Sequence, residues 1–342
     1  MACWLRCPRA HYWQYEIGLR KASTSIALII GSAWHRAMEA RWKGADYETA
    51  FSAALPPTEE IDVYAAATIA GLLSGYYKYW IEDAGIQMFT EVKFAYNLES
   101  SRTFTVEGMI DRMGDKSDGR KVLCEYKTTG DSVAPDSEYW LRLKFNSQIY
   151  QYWCAAKEMG WDIDEVIYDV TRKPSIRPKM INNVDENGDK IVLDVQGNRA
   201  YLKNGKPRQS GSEAEGLTVS QHLETPDEYR DRLEWDCTTR PDFYFARKEV
   251  PILEEDIEDF KSQRLSIARA LMHSRNEAKK LNKPERAYPR AVSEQNCKFC
   301  TYKSFCLQNL SVDVENPPIG FSIQPFNPEL ADASTEEPAT TE

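Results

Sequence analysis

The stretch KVLCEYKT, residues 121–128, sets a carboxylate and an ammonium two positions apart on what reads as a strand. Side chains two apart in a strand project to one face, roughly 6.6 Å from each other. Glu125 and Lys127 therefore point together, while Cys124, Tyr126 and Thr128 face the other way. Asp111 lies in the preceding β-rich run, inside EGMIDR, and a hairpin between the two runs brings its carboxylate beside Glu125. Two carboxylates so placed make a hard-oxygen site suited to Mg²⁺ or Mn²⁺. A neighbouring lysine holds or helps deprotonate a water and offsets charge on a phosphate. The combination is a recipe for metal-assisted phosphodiester hydrolysis. Taken alone, Glu-x-Lys reads as readily as an ion pair at a sheet edge, because short motifs recur by chance.

A second cluster of chemistry sits at the chain ends. NCKFCTYKSFC places Cys297, Cys300 and Cys306 in C-x2-C-x5-C spacing, enough for three corners of a metal centre. A fourth ligand must come from elsewhere. Cys7, followed by Pro8, offers it, with Cys3 as its rival. Eight cysteines without an export signal favour metal or redox chemistry over disulfides. Four thiolates suit zinc as well as an iron–sulfur cluster. Cys124, Cys154 and Cys237 read as buried or incidental thiols.

The elements that must position these residues can be read from periodicity. Residues 8–20 read as a short helix or turn ending at Gly18. Helical stretches follow from Ser32 to about Trp42, from about Ala45 to Ala54 and from about Val63 to Asp83, and the first puts His35 and Glu39 one turn apart. The period then changes: 87–98, 103–113 and 121–128 are β-rich runs separated by hairpin turn chemistry. One long helix is expected from about Glu138 to Met159, then a strand in DEVIYDVTRK. The order predicts an α/β fold with a mixed central sheet flanked by helices. The expected organisation is residues 1–172 as N-terminal cysteine segment, helices and core, 173–225 as a polar hairpin insertion, 226–310 as a helix, strand and cysteine-cluster region, and 311–342 as an acidic, disordered tail. No internal repeat is read.

At this point the chain resembles the PD-(D/E)XK nuclease superfamily, and within it the RecB-type exonucleases that include AddB nuclease domains and CRISPR-adaptation nucleases. GSAWHRAME fits a Gly-x3-His-x3-Glu helix through Gly31, His35 and Glu39; EGMIDR fits Gly-x-x-Asp-Arg; CEYKTT supplies Glu125 and Lys127; QIYQY fits Gln-x3-Tyr through Gln148 and Tyr152. The resemblance implies a restriction-endonuclease-like core. It implies that Asp111, Glu125, the backbone carbonyl of Tyr126 and His35 hold the metal, that Lys127 and Gln148 position the water or scissile phosphate, and that Tyr152 contacts the DNA strand. Glu91 is a weaker candidate for a supporting carboxylate. In a subset of the family one N-terminal and three C-terminal cysteines hold a 4Fe–4S cluster, which assigns that role to Cys7, Cys297, Cys300 and Cys306, with Zn²⁺ as the alternative. Relatives carry several residues before the Cys-Pro segment on which this chain almost opens.

The bulk numbers fit such a reading. A chain of 342 residues, 42% hydrophobic and 28% charged, builds a sizeable core. No apolar run reaches the length of a membrane span, and MACWLRCPRAHYW lacks a secretory h-region, so a cytoplasmic location is expected. Of the net charge of −10, most sits in residues 311–342, which hold seven acidic residues and no Lys or Arg. Basic clusters elsewhere leave a nucleic-acid partner open. The expected activity is a Mg²⁺- or Mn²⁺-dependent DNA exonuclease acting on single strands or free ends, in recombination, repair or phage DNA processing. No G-x4-G-K-[ST] occurs, so strand opening would need a partner or a pre-existing end, and a helicase, recombinase or annealing protein is the partner expected. The competing reading is an inactive nucleic-acid-binding module with a structural metal cluster.

Overall fold

A computed structural model of the chain describes residues 1–22, 25–56, 61–83, 86–98, 101 and 104–324. Two short helices, α1 (Ala2–Arg6) and α2 (Pro8–His11), lead through a π-helical turn into β1 (Leu19–Lys21). Three helices follow, α3 (Ile26–Trp42), α4 (Tyr47–Ala54) and α5 (Val63–Tyr79), then three strands, β2 (Phe89–Asn97), β3 (Thr105–Asp115) and β4 (Lys121–Thr129). Helices α6 (Glu138–Lys144) and α7 (Ser147–Glu158) cross over to β5 (Glu165–Arg172). The later elements are the short strands β6 (Met180–Asn182), β7 (Val192–Leu193), β8 (Thr218–Val219) and β9 (Gln221–Leu223), helices α8 (Pro226–Thr239) and α9 (Pro241–Tyr244), strand β10 (Phe245–Glu249), and the long helix α10 (Glu254–Ala278). Helices α11 (Glu294–Lys298) and α12 (Lys303–Gln308) and strand β11 (Phe321–Ile323) close the chain.

The central sheet has five strands in the order β10-β5-β4-β3-β2. Neighbours are antiparallel except β4 and β5, which run parallel through the α6–α7 crossover. This is the mixed sheet flanked by helices of a restriction-endonuclease-like fold, as the sequence leads one to expect. Alternation along β4 sorts its side chains between two cores. Cys124 and Tyr126 pack with Trp34, Met38, Leu73 and Tyr76 of α3 and α5. Leu123 packs on the other face with Ile149, Tyr152 and Ala155 of α7. The face shared by Leu123, Glu125 and Lys127 is therefore the face of α7.

Three expectations are corrected. The single helix from Glu138 to Met159 is two, because Asn146 Oδ1 accepts the Gln148 amide at 3.0 Å and starts a new helix there; asparagine is among the strongest N-caps. Helix α3 begins a turn and a half earlier than Ser32, with Ser25 as its cap. Within the expected tail, Phe321–Ile323 pairs with Leu19–Lys21 as an antiparallel strand; residues 325–342 lie outside the described residues. The segment between β5 and α8 also carries a repeat that composition hides. Gly188, Gly197 and Gly205 sit at φ near +81, +82 and +80°. Their amides donate to Asp185, Asp194 and Leu202 carbonyls, closing three successive hairpins of one geometry. Only the glycine and the turn recur, so the repeat lives in backbone conformation more than in residue identity.

Among the described residues, no helix is long and apolar enough to cross a membrane.

Candidate active site

The site forms where β3 and β4 part. Their ladder pairs Arg112 with Cys124 and Met113 with Leu123, so the continued register sets Asp111 opposite Glu125. There a side chain replaces the backbone: Asp111 Oδ2 accepts the Tyr126 amide at 2.8 Å. On the other side of β3, the ladder pairs Thr90 with Arg112 and Val92 with Ile110, which sets Glu91 opposite Asp111. Glu91 itself adopts φ +50°, a left-handed conformation that costs a non-glycine residue about 1–2 kcal/mol. Three carboxylates thus lie in one row across β2, β3 and β4.

His35 reaches the row from α3, its Nδ1 at 3.6 Å from Asp111 Oδ2. Ligand atoms of His35, Glu91 and Asp111 lie within 4.8 Å of one another, and no other such group occurs among the described residues. Glu125 is completely buried. Its Oε1 accepts from Lys127 Nζ, while its Oε2 is buried with no hydrogen-bond partner. Burial pushes the Glu125 carboxyl up, Asp111 pushes it further, and Lys127 opposes both. Two buried acceptors in contact need a proton or a cation between them. The donor set of His35, Glu91 and Asp111, with Glu125 and its unmatched oxygen next along the row, fits a hard divalent cation.

Lys127 Nζ also donates to Gln148 Oε1 at 2.7 Å, and Gln148 Nε2 donates to the Tyr152 hydroxyl at 2.8 Å. The chain Glu125–Lys127–Gln148–Tyr152 therefore runs from the sheet to α7, whose first turn is fixed by the Asn146 cap. Tyr152 is only 7% exposed, and burial first, then Glu125 and Asp111, hold its phenol protonated. The structure sets Tyr152 against Gln148, whose amide its hydroxyl accepts.

His35, Asp111, Glu125, Lys127, Gln148 and Tyr152 come together, and the Tyr126 contact with Asp111 runs through its amide. Glu39 does not join them; it pairs with Lys43 at 2.6 Å. Glu91, the weaker candidate, stands at the β2 end of the row, within the group it forms with His35 and Asp111. Its signal in the sequence was faint, because the positive φ breaks the alternation that would have aimed it. Arg112, next to Asp111, was not singled out as a site residue. Its guanidinium is buried and stacks at 3.8 Å over Trp42 and 5.6 Å from Tyr126, which ties the Asp111 turn to α3.

The cysteines divide differently. Cys7, Cys300, Cys306 and Cys3 pack on one aromatic cluster of Trp13, Leu19, Tyr302 and Phe305, and all are free thiols. Cys297 is joined to them through the Cys300 amide, which donates to its carbonyl at 3.3 Å. Burial pushes the Cys306 thiol up, Arg290 and Arg9 draw it down, and Cys7 and Cys300 raise it again. Their sulfurs do not close to the 4.8 Å spacing of the acidic group among the described residues. The two ends are held together independently, by Tyr302 donating to the Leu19 carbonyl at 2.7 Å and Arg9 to the Tyr288 carbonyl at 2.8 Å.

Comparison with known proteins matches residues 1–307 to the family model of the PD-(D/E)XK nuclease superfamily. No curated protein matches the chain. Among solved structures, one titled "Crystal structure of SSO0001" is 11% identical over 82% of this chain and 86% of its own, with a TM-score of 0.28, a likeness that carries no further argument.

Proposed function

The chain belongs to the PD-(D/E)XK nuclease superfamily, and from that premise we propose that it is a Mg²⁺- or Mn²⁺-dependent DNA exonuclease of the RecB type. The observation that carries the reading is the row Glu91–Asp111–Glu125 with His35 at one end and Lys127 and Gln148 at the other. His35, Glu91, Asp111 and Glu125 are the residues that would hold the cation, with the Tyr126 carbonyl as a further oxygen. A bound divalent ion supplies acidified water and offsets charge on the phosphate. The chain's own groups do the rest. Lys127 keeps an ammonium at the rim of the carboxylates, where a phosphate oxygen or water can take its third hydrogen. Gln148, held on both sides by Lys127 and Tyr152, fixes the direction of that ammonium.

The substrate proposed is DNA with a free end or in single-stranded form, in recombination, repair or phage DNA processing. Cys7, Cys297, Cys300 and Cys306 are proposed to hold a 4Fe–4S cluster, with zinc as the alternative, as a structural staple across the chain ends.

The test is hydrolysis of linear and circular single-stranded DNA, labelled at either end, with Mg²⁺ or Mn²⁺. Nucleotide release from linear DNA only, lost in Asp111→Ala and Lys127→Ala, is expected. Equal degradation by all three proteins would sink the assignment, and cleavage of circles would replace exonuclease by endonuclease.

A further inference from the structure

Helix α6 presents an apolar and cationic face that the site described above does not use. Its inner face is fixed. Trp140 is buried and its Nε1 donates to the Val133 and Ala134 carbonyls, and Arg142 pairs with Asp131 at 2.5 Å. Thr129, at the end of β4 and two residues beyond Lys127, accepts the Asp131 amide at 3.1 Å, which ties the loop before α6 to the sheet. The outer face is Leu141, Lys144 and Phe145, spaced as one stripe. Leu141 is 58% exposed and Phe145 88% exposed. Lys144 has no carboxylate partner among the described residues.

Scattered single apolar side chains on a surface need no account. Phe145 differs in three ways. It closes α6, with its amide held by the Arg142 carbonyl at 3.2 Å, so the ring stands on fixed backbone. It shares its stripe with a second exposed apolar residue and an unpaired ammonium. It also precedes Gln148 by only three residues, a backbone path of at most about 11 Å. Stacked nucleotides rise about 3.4 Å each, so the ring lies within a few nucleotides of a phosphate held at Lys127 and Gln148.

We propose that Phe145 is a stacking platform for an unpaired nucleobase, with Lys144 taking the adjoining phosphate, so that the site selects single-stranded or frayed ends. The inference rests on the nuclease reading above. Aromatic side chains recognise every base by its π-face without sequence preference, and an ammonium beside them tracks the backbone. Bases inside an intact duplex offer no free face to such a ring.

The test compares the full-length wild type, Phe145→Ala and Phe145→Trp with Mn²⁺ on two single-stranded oligomers, one of natural deoxynucleotides and one wholly abasic. On the natural strand, Phe145→Ala is expected to raise KM roughly tenfold with kcat little changed, and Phe145→Trp to keep the wild-type KM. On the abasic strand all three proteins should behave alike. Equal KM values for wild type and Phe145→Ala on the natural strand, or an equal loss on both strands, would overturn the stacking role while leaving the nuclease reading intact. A wild type that hydrolyses neither strand overturns both. If Phe145→Ala instead converts a sedimenting dimer to a monomer, the face is a contact between copies of the chain and the proposal falls.

Discussion

Replacing Glu91 by Gln should make the cation-free protein more stable and the cation-loaded protein less so. Carboxylate oxygens of Glu91 and Asp111 lie within 4.8 Å of each other. Two unit charges at that distance repel by about 3.5 kcal/mol at an effective dielectric of about 20. Glu91 is half-buried and His35 shares the group, so solvent and the imidazole reduce the repulsion, and relief of about 1–2 kcal/mol remains for the neutral isostere. The residue keeps its length, so its φ of +50° and its packing are unchanged. For a chain of this size that relief is a rise of about 1.5–3 °C in Tm. The assay is thermal unfolding in EDTA and in a Mn²⁺ series. Wild type should gain stability with Mn²⁺ as ligand binding to the folded state requires, and Glu91→Gln should start higher in EDTA and gain less. A variant that melts lower than wild type in EDTA yet gains as much from Mn²⁺ would refute the placement of Glu91 among the cation's ligands. Stability sacrificed at a site and recovered on loading is the usual sign of a functional cluster.

Tyr152→Phe removes the oxygen that accepts from Gln148 and should lower kcat about tenfold with KM nearly unchanged, since it disturbs orientation and not substrate contact; steady-state kinetics on end-labelled DNA checks it. Arg247 holds Asp169, which is completely buried, at 2.8 Å and Asp83 at 2.5 Å; Arg247→Ala leaves Asp169 without its cation, while Asp83 keeps Arg41 at 3.9 Å, and should cost about 3–5 kcal/mol in urea unfolding. Glu16 links the N-terminal turn to α10 through Arg275 at 2.8 Å. Burial pushes its carboxyl up, but the nearby His11 imidazole, at 3.4 Å, and the hydrogen bonds from Arg275 prevail and bring it from 4.5 to about 2. A depressed carboxyl contributes stability above its unfolded pKa and loses it as pH falls through the folded one. The advantage of wild type over Glu16→Gln, about 1–2 kcal/mol after discounting the exposed half of Arg275, should therefore be full above pH 4.5 and gone near pH 2, as read by urea unfolding across that range.

What the sequence makes legible follows from which constraints are local. Glu125 and Lys127 share a face because a strand has period two, and that rule needs no tertiary information. Asp111 meets Glu125 because a hairpin register is set by its turn, again nearly local. His35 and Gln148 come from helices on opposite faces of the sheet, and no periodicity joins them; motif order did that. The failures have the same explanation read in reverse. Glu91 sits at a point where the strand departs from period two, so alternation could not aim it. Tyr152 lies one turn from Gln148 by spacing, yet only the packing of α7 decides that it is buried and accepts from Gln148. The break at Asn146 is a competition between a cap and a helix interior within four residues, which propensity alone leaves undecided. That break also bears on the site: the Asn146 cap fixes the first turn of α7, which carries the Gln148 that accepts from Lys127. A substitution that restores continuity, Asn146→Ala, should therefore impair nucleotide release from end-labelled DNA more than it lowers stability in urea unfolding.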